Sequence, residues 1–113
     1  MDGLYLNEGD AVKRLGGNKR LYLKLLKSFL GDKSFQNLQQ YAAAGDRENA
    51  KMAAHTLKGL AANLSLVVLS EEAARIDHML KEAMIVPQDL LALEDAMRNT
   101  VGVIEEMIAL SVV

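Results

Sequence analysis

His55 is the residue of this chain whose type and surroundings best suit nucleophilic chemistry. It lies in residues 53–64, which read AAHTLKGLAANL. On a helix that turns about 100° per residue, its imidazole falls opposite the apolar stripe and faces water. Lys51 and Lys58 lie about one turn to either side on the same face. An exposed imidazole between two ammonium groups is a reachable nucleophile whose neighbours stabilise anions.

Two positions close to this histidine carry almost no side chain. Gly59 follows at the flank of the same helix face, and Ala62 lies two turns further on. A glycine inside a helix costs roughly 1 kcal/mol relative to alanine, so its presence calls for a reason. Gly59 would either form a notch into which a neighbouring helix packs or let a partner molecule approach the imidazole. We favour the second interpretation.

His78 provides an internal comparison, because Lys81 follows it at the spacing that separates His55 from Lys58. The next residue is Glu82, where the first motif has a glycine. A glutamate adds bulk and negative charge where an incoming anion needs space and positive potential. We therefore predict that His78 is an ordinary surface residue.

Helices are predicted to position these residues. The chain has 113 residues, 50% of them hydrophobic, with only one proline and eight glycines, a composition that favours helix. Cap residues and apolar periodicity predict helices at 7–15, 19–44 with a kink or break at Gly31 and Asp32, 46–64, 69–84 and 87–108. We predict an all-α fold, an antiparallel four-helix bundle with a short additional N-terminal helix, as one domain over residues 1–113.

Composition also excludes several classes of function. The formal net charge of −2 gives no general attraction to nucleic acid or to anionic lipid. The absence of cysteine rules out a disulfide framework, a thiolate metal site and a catalytic thiol. The most apolar stretch, residues 64–69, is far shorter than a membrane span, and the first residues lack a signal-peptide pattern. We expect a soluble, cytoplasmic monomer.

The segment 53–64 resembles the signature of histidine-containing phosphotransfer (HPt) domains. The resemblance extends over most of the chain and includes three outlying parts, which are Leu15-Gly16-Gly17-Asn18 with Leu25, Leu26 and Phe29 after it, Gly45-Asp46, and residues 73–77. It implies a four-helix bundle whose exposed histidine accepts a phosphoryl group from the phospho-aspartate of one receiver domain. The histidine then passes the group to another receiver.

The resemblance also implies roles for individual residues. His55 is the expected phosphoacceptor, Lys58 stabilises the phosphoryl group, and Gly59 permits close approach of the partner. Asp77 matches the position of a side chain that orients the histidine ring, and it is shorter than the Glu or Gln often found there; a surface charge is the alternative. Ser65 departs from the family pattern, which usually has glycine after Asn-Leu, so the turn there is expected to be adjusted.

Other functions remain open at this point. The sequence has no glycine-rich phosphate loop or nucleotide-binding subdomain, so we expect no kinase activity of its own, although the chain can be part of a hybrid sensor histidine kinase. We expect no cofactor, with Mg²⁺ supplied by the partner receiver. The alternatives are the phosphoacceptor domain of a chemotaxis-type histidine kinase and a helical adaptor that transfers nothing. A metal site is disfavoured, because the only two histidines are distant in sequence.

Overall fold

The computed structural model describes residues 5–111, which form helices joined by short connections. Pro87–Leu90 form a 3₁₀ turn that leads directly into the last helix. No strand is present in this part of the chain, and none of its helices has the length and apolar character needed to cross a bilayer. The helices are α1 (Glu8–Arg14), α2 (Lys19–Leu30), α3 (Ser34–Ala43), α4 (Arg47–Asn63), α5 (Val67–Glu82) and α6 (Leu91–Ser111).

Side-chain caps begin three of these helices, as the sequence predicts. In each case a side-chain oxygen accepts a hydrogen bond from a backbone N–H group of the first turn, which has no partner within the helix. These bonds join Asn7 to the N–H of Asp10 (3.1 Å), Asn18 to that of Leu21 (2.9 Å) and Asp46 to that of Asn49 (3.2 Å).

The predicted break at Gly31 and Asp32 is confirmed. α2 ends at Leu30 and α3 begins at Ser34, whose backbone N–H donates to the Asp32 carboxylate at 2.8 Å. On one continuous helix the apolar residues of the two segments would lie half a turn out of phase. Because the helix breaks here, both segments can bury their apolar residues in the same core. The buried apolar residues are Tyr22, Leu26 and Phe29 on α2, and Leu38 and Ala42 on α3.

The helices form an antiparallel four-helix bundle, and α1 is the short additional helix at its N-terminal side. α4 packs between α3 and α5, while α6 packs against α5 and α2. Segments α2 and α3 together serve as one broken helix of the bundle. The Cα atoms extend over 45 × 23 × 23 Å. The predicted fold class is confirmed.

The last helix buries a different stripe from the one predicted. The apolar residues of the sequence in this helix recur as Leu90, Met97, Val101, Ile104 and Ile108, which predicts that these five form its buried stripe. In the structure Met97, Val101 and Ile108 are only half-buried. The buried face is rotated about the helix axis from the predicted one, because it includes the small Ala96 and the polar Thr100, which a pattern of large apolar residues does not count. The buried residues are Leu90, Leu93, Ala96, Thr100 and Ile104.

Tyr22 connects α2 to the end of the helix that carries His55. Its side chain is fully buried, and its hydroxyl donates to the backbone carbonyl of Leu64 at 2.7 Å. Burial raises the pKa of this phenol far above its ordinary value. The Glu8 carboxylate raises this pKa further, and the Arg14 guanidinium lowers it.

Replacement of Tyr22 by phenylalanine should therefore lower the free energy of unfolding at neutral pH by about 1–2 kcal/mol. Above about pH 10 the tyrosine loses its proton in the unfolded chain but keeps it in the folded chain, which favours unfolding. The difference between the wild type and Tyr22→Phe should therefore shrink as the pH rises. Urea denaturation at pH 7 to 11 measures it, and a difference that stays constant over this range would contradict the assignment.

Candidate functional site

His55 lies in the middle of α4, where backbone hydrogen bonds on both sides fix its position. Its side chain is 71% exposed. The opposite face of α4 packs into the core through residues that are mostly small. They are Ala50, Ala53, Ala54, Leu57 and Ala61. This one-sided burial leaves the imidazole on the open face of the bundle.

Asp77 lies on the neighbouring helix α5, beneath the imidazole. Its side chain is only 4% exposed, and its Oδ2 atom is 3.7 Å from Nδ1 of His55. This distance is longer than a hydrogen bond but within the range of an ion pair. A carboxylate buried to this degree needs charged or hydrogen-bonding partners. The alternative that Asp77 is a surface charge is therefore wrong.

The position of Asp77 gives the two ring nitrogens of His55 different surroundings. Nδ1 faces the carboxylate, which favours a proton on that nitrogen. The unprotonated Nε2 then carries the available lone pair. An imidazole in this tautomer can attack an electrophile at Nε2 without first losing a proton.

Lys58 is bound to the same carboxylate oxygen. Its ammonium group donates to Oδ2 of Asp77 at 3.2 Å, and its side chain is 34% exposed. The sequence predicts that Lys58 lies near His55, but helical periodicity does not predict that Lys58 pairs with Asp77 on the neighbouring helix. Its predicted role towards a phosphoryl group stays a prediction.

Lys81 is a second cation at this carboxylate, and the sequence prediction did not include it in the site. It lies one turn after Asp77 on α5, with its ammonium nitrogen 3.8 Å from Oδ2 and its side chain 55% exposed. The sequence contains a signal for it, since a lysine four residues after an aspartate lies on the same helix face. The motif pattern alone places Lys81 only beside His78.

A cleft of about 340 Å³ opens beside the imidazole between α4 and α5. Its lining combines two lysines, two carboxylates, a threonine, one exposed methionine and the histidine itself. The lining residues are Glu48, Lys51, Met52, His55, Thr56, Asp77 and Lys81. Lys58 lies outside this cleft, on the side of His55 towards the C-terminal end of α4.

Gly59 and Ala62 leave the surface beside His55 open. Both residues are exposed, and a Cβ atom added at Gly59 would meet no atom within 4 Å. The alternative that Gly59 is a packing notch for a neighbouring helix is therefore wrong. Space remains above this residue for a partner molecule.

His78 is exposed on α5, next to Asp77 in sequence. Among residues 5–111 it forms no side-chain hydrogen bond or ion pair. Its companion lysine, Lys81, reaches the buried Asp77 instead. The predicted surface location of His78 is confirmed.

Ser65 shows how the chain accommodates its departure from glycine in the turn between α4 and α5. It adopts a positive φ of 54°, which is uncommon for residues other than glycine. Its hydroxyl donates to the Asp10 carboxylate at 2.7 Å, and the Arg14 guanidinium contacts the same hydroxyl. These contacts hold the strained residue in place and join α1 to the end of α4.

A family model described as the Hpt domain matches residues 24–110, which is more than half of the chain. The matched region contains His55, Lys58, Gly59 and Asp77. Comparisons with curated proteins and with solved structures find no match.

Proposed function

Since the chain belongs to the Hpt domain family, whose members are phosphotransfer modules and not kinases themselves, we propose that it carries phosphoryl groups between receiver domains. In this proposal residues 1–113 act as a single domain and His55 is the phosphoacceptor. The single observation that carries the proposal is the exposed imidazole with a buried carboxylate facing its Nδ1 atom.

The proposed reaction begins with a neutral imidazole that carries its proton on Nδ1. The Nε2 lone pair attacks the phosphorus of a phospho-aspartate on the receiver, forming an N–P bond as the P–O bond to the aspartate breaks. The receiver aspartate leaves as a carboxylate. The ring gains positive charge, which the Asp77 carboxylate stabilises from the Nδ1 side. The reverse sequence transfers the phosphoryl group to a second receiver.

The surroundings of His55 support a role for a protein partner in this reaction. Gly59 leaves space for the receiver to approach, and Lys58 adds positive charge near the transferred group. Met52, with 68% exposure, offers an apolar contact on the same face.

Within residues 5–111 no three carboxylates, histidines or cysteines cluster as metal ligands. We propose that the receiver supplies the Mg²⁺.

Phosphoryl transfer between isolated proteins tests this function. The chain is mixed with a receiver that has been phosphorylated on its aspartate, and the label is followed over time. We expect the label to move to the chain and then to a second, unlabelled receiver. No transfer from any receiver tested would contradict the proposal.

The same assay distinguishes the two alternatives. A chemotaxis-type phosphoacceptor would accept label from an ATP-binding kinase domain with ATP but not from a phosphorylated receiver. If the chain is an adaptor, the wild type and the His55→Gln variant would bind receivers equally well, and neither form would become labelled.

A further inference from the structure

Lys81 lies beside His55 in the structure, although 26 positions separate the two residues in the sequence. Its ammonium group shares the Asp77 oxygen that faces His55, and its side chain lines the cleft beside the imidazole. The backbone at this position is also fixed, because Arg47 at the start of α4 donates to the Lys81 carbonyl at 2.7 Å. The first turn of the histidine helix thus holds the end of α5 that carries Lys81.

The direction of helical side chains brings Lys81 and His55 together. Side chains lean towards the N-terminus of their own helix, so His55 leans towards residues 51 and 52, which line the cleft. Lys81 leans towards the N-terminus of α5, which is towards Asp77. Because α5 is antiparallel to α4, this lean is opposite to that of His55, and the two side chains lean towards each other. Lys51 leans away from the imidazole by the same rule. Of the two lysines that line the cleft, Lys81 is the one whose ammonium group shares a carboxylate oxygen with His55.

The two lysines bound to Asp77 differ in how firmly they are held. Lys58 forms a hydrogen bond of 3.2 Å with the carboxylate and is the more buried of the two. Lys81 lies at 3.8 Å and is 55% exposed, so its contact with Asp77 is looser. A loosely held cation can change partner at a lower free-energy cost than a firmly held one. Lys58 can then continue to neutralise the buried carboxylate.

We propose that Lys81 is a phosphoryl-binding residue of the His55 site. Its ammonium group leaves Asp77 and contacts the phosphoryl oxygens as the N–P bond forms at Nε2, while Lys58 stays with Asp77. Lys81 forms no covalent bond and gives up no proton in this step. The inference rests on the proposed function, because it requires phosphoryl transfer to His55.

Single-turnover transfer from a phosphorylated receiver tests this role in the full chain with Lys81→Gln, Lys81→Arg and Lys24→Gln. Lys24 is an exposed lysine on α2, which makes Lys24→Gln a control for the same loss of charge. We expect Lys81→Gln to slow transfer roughly tenfold with unchanged receiver affinity, because it removes one charge that stabilises the transferred group. Lys81→Arg should restore most of the rate, and Lys24→Gln should match the wild type.

A second measurement detects the contact itself. The ³¹P resonance of phosphorylated His55 is followed against pH, and loss of a bound cation should raise the pH at which the phosphoryl group takes up a proton. A Lys81→Gln variant that transfers and titrates like Lys24→Gln, alongside an active wild type, would overturn this inference alone. A wild type that accepts no phosphoryl group would overturn the proposed function and this inference with it.

Discussion

Replacement of His55 by glutamine is expected to abolish phosphorylation of the chain by a phosphorylated receiver. Glutamine is similar in length but has no lone pair on nitrogen that can attack phosphorus. The core-facing side of α4 is unaffected, because the histidine side chain is 71% exposed. Helix content and the free energy of unfolding should therefore stay close to those of the wild type. Incorporation of label, measured beside circular dichroism, separates loss of chemistry from loss of folding.

His78→Gln is the matched control for this experiment, since it makes the same change at the other histidine. His78 is exposed on a neighbouring helix and has a lysine three residues later, as His55 does. It differs in having Glu82, and not a glycine, after that lysine. We expect His78→Gln to accept label as the wild type does. Label that persists in His55→Gln but disappears in His78→Gln would contradict the assignment of the phosphoacceptor.

Replacement of Gly59 should change stability and transfer in opposite directions. A Cβ atom at this position meets open space, so Gly59→Ala should raise the free energy of unfolding by about 0.5–1 kcal/mol through helix propensity. A longer side chain occupies the space that the receiver needs beside His55. Gly59→Gln should therefore slow transfer by about 100-fold, because small misplacements of reacting groups carry costs of this size. Urea denaturation and single-turnover transfer measure the two effects.

Gly102 on α6 is the matched control for Gly59. It is also an exposed helical glycine whose added Cβ would meet nothing within 4 Å. Gly102→Ala should give a similar gain in stability, and Gly102→Gln should leave the transfer rate unchanged. Equal rates for Gly59→Gln and Gly102→Gln would mean that Gly59 does not serve the approach of the partner.

Local signals in the sequence predict most of the fold. Asn7, Asn18 and Asp46 were identifiable as helix caps, because a short polar side chain preceded each apolar pattern. The break at Gly31 followed from two apolar stripes that did not align on one helix. The exposure of His55 followed from its place opposite the small and apolar residues of α4. All of these features depend on residues within one or two helical turns.

The parts that were missed depend on contacts between helices. Periodicity treats Asp77 as a polar residue, but its burial is stabilised by Lys58, which lies on another helix. The spacing of Lys81 and Asp77 on one helix face is visible in the sequence, but the link from Lys81 to His55 passes through the buried carboxylate and depends on how α4 packs against α5. Thr100 is buried although it is polar, and the stripe of the last helix was misplaced partly because polar residues were assigned to the surface.

The location of the phosphoryl group after transfer tests the central claim most directly. The chain is incubated with a phosphorylated receiver, and the modified residue and atom are identified by mass spectrometry and by NMR of the labelled imidazole. We predict an acid-labile, base-stable phosphoramidate on Nε2 of His55. A base-labile acyl phosphate on the chain, or a phosphoramidate on His78, would contradict this prediction.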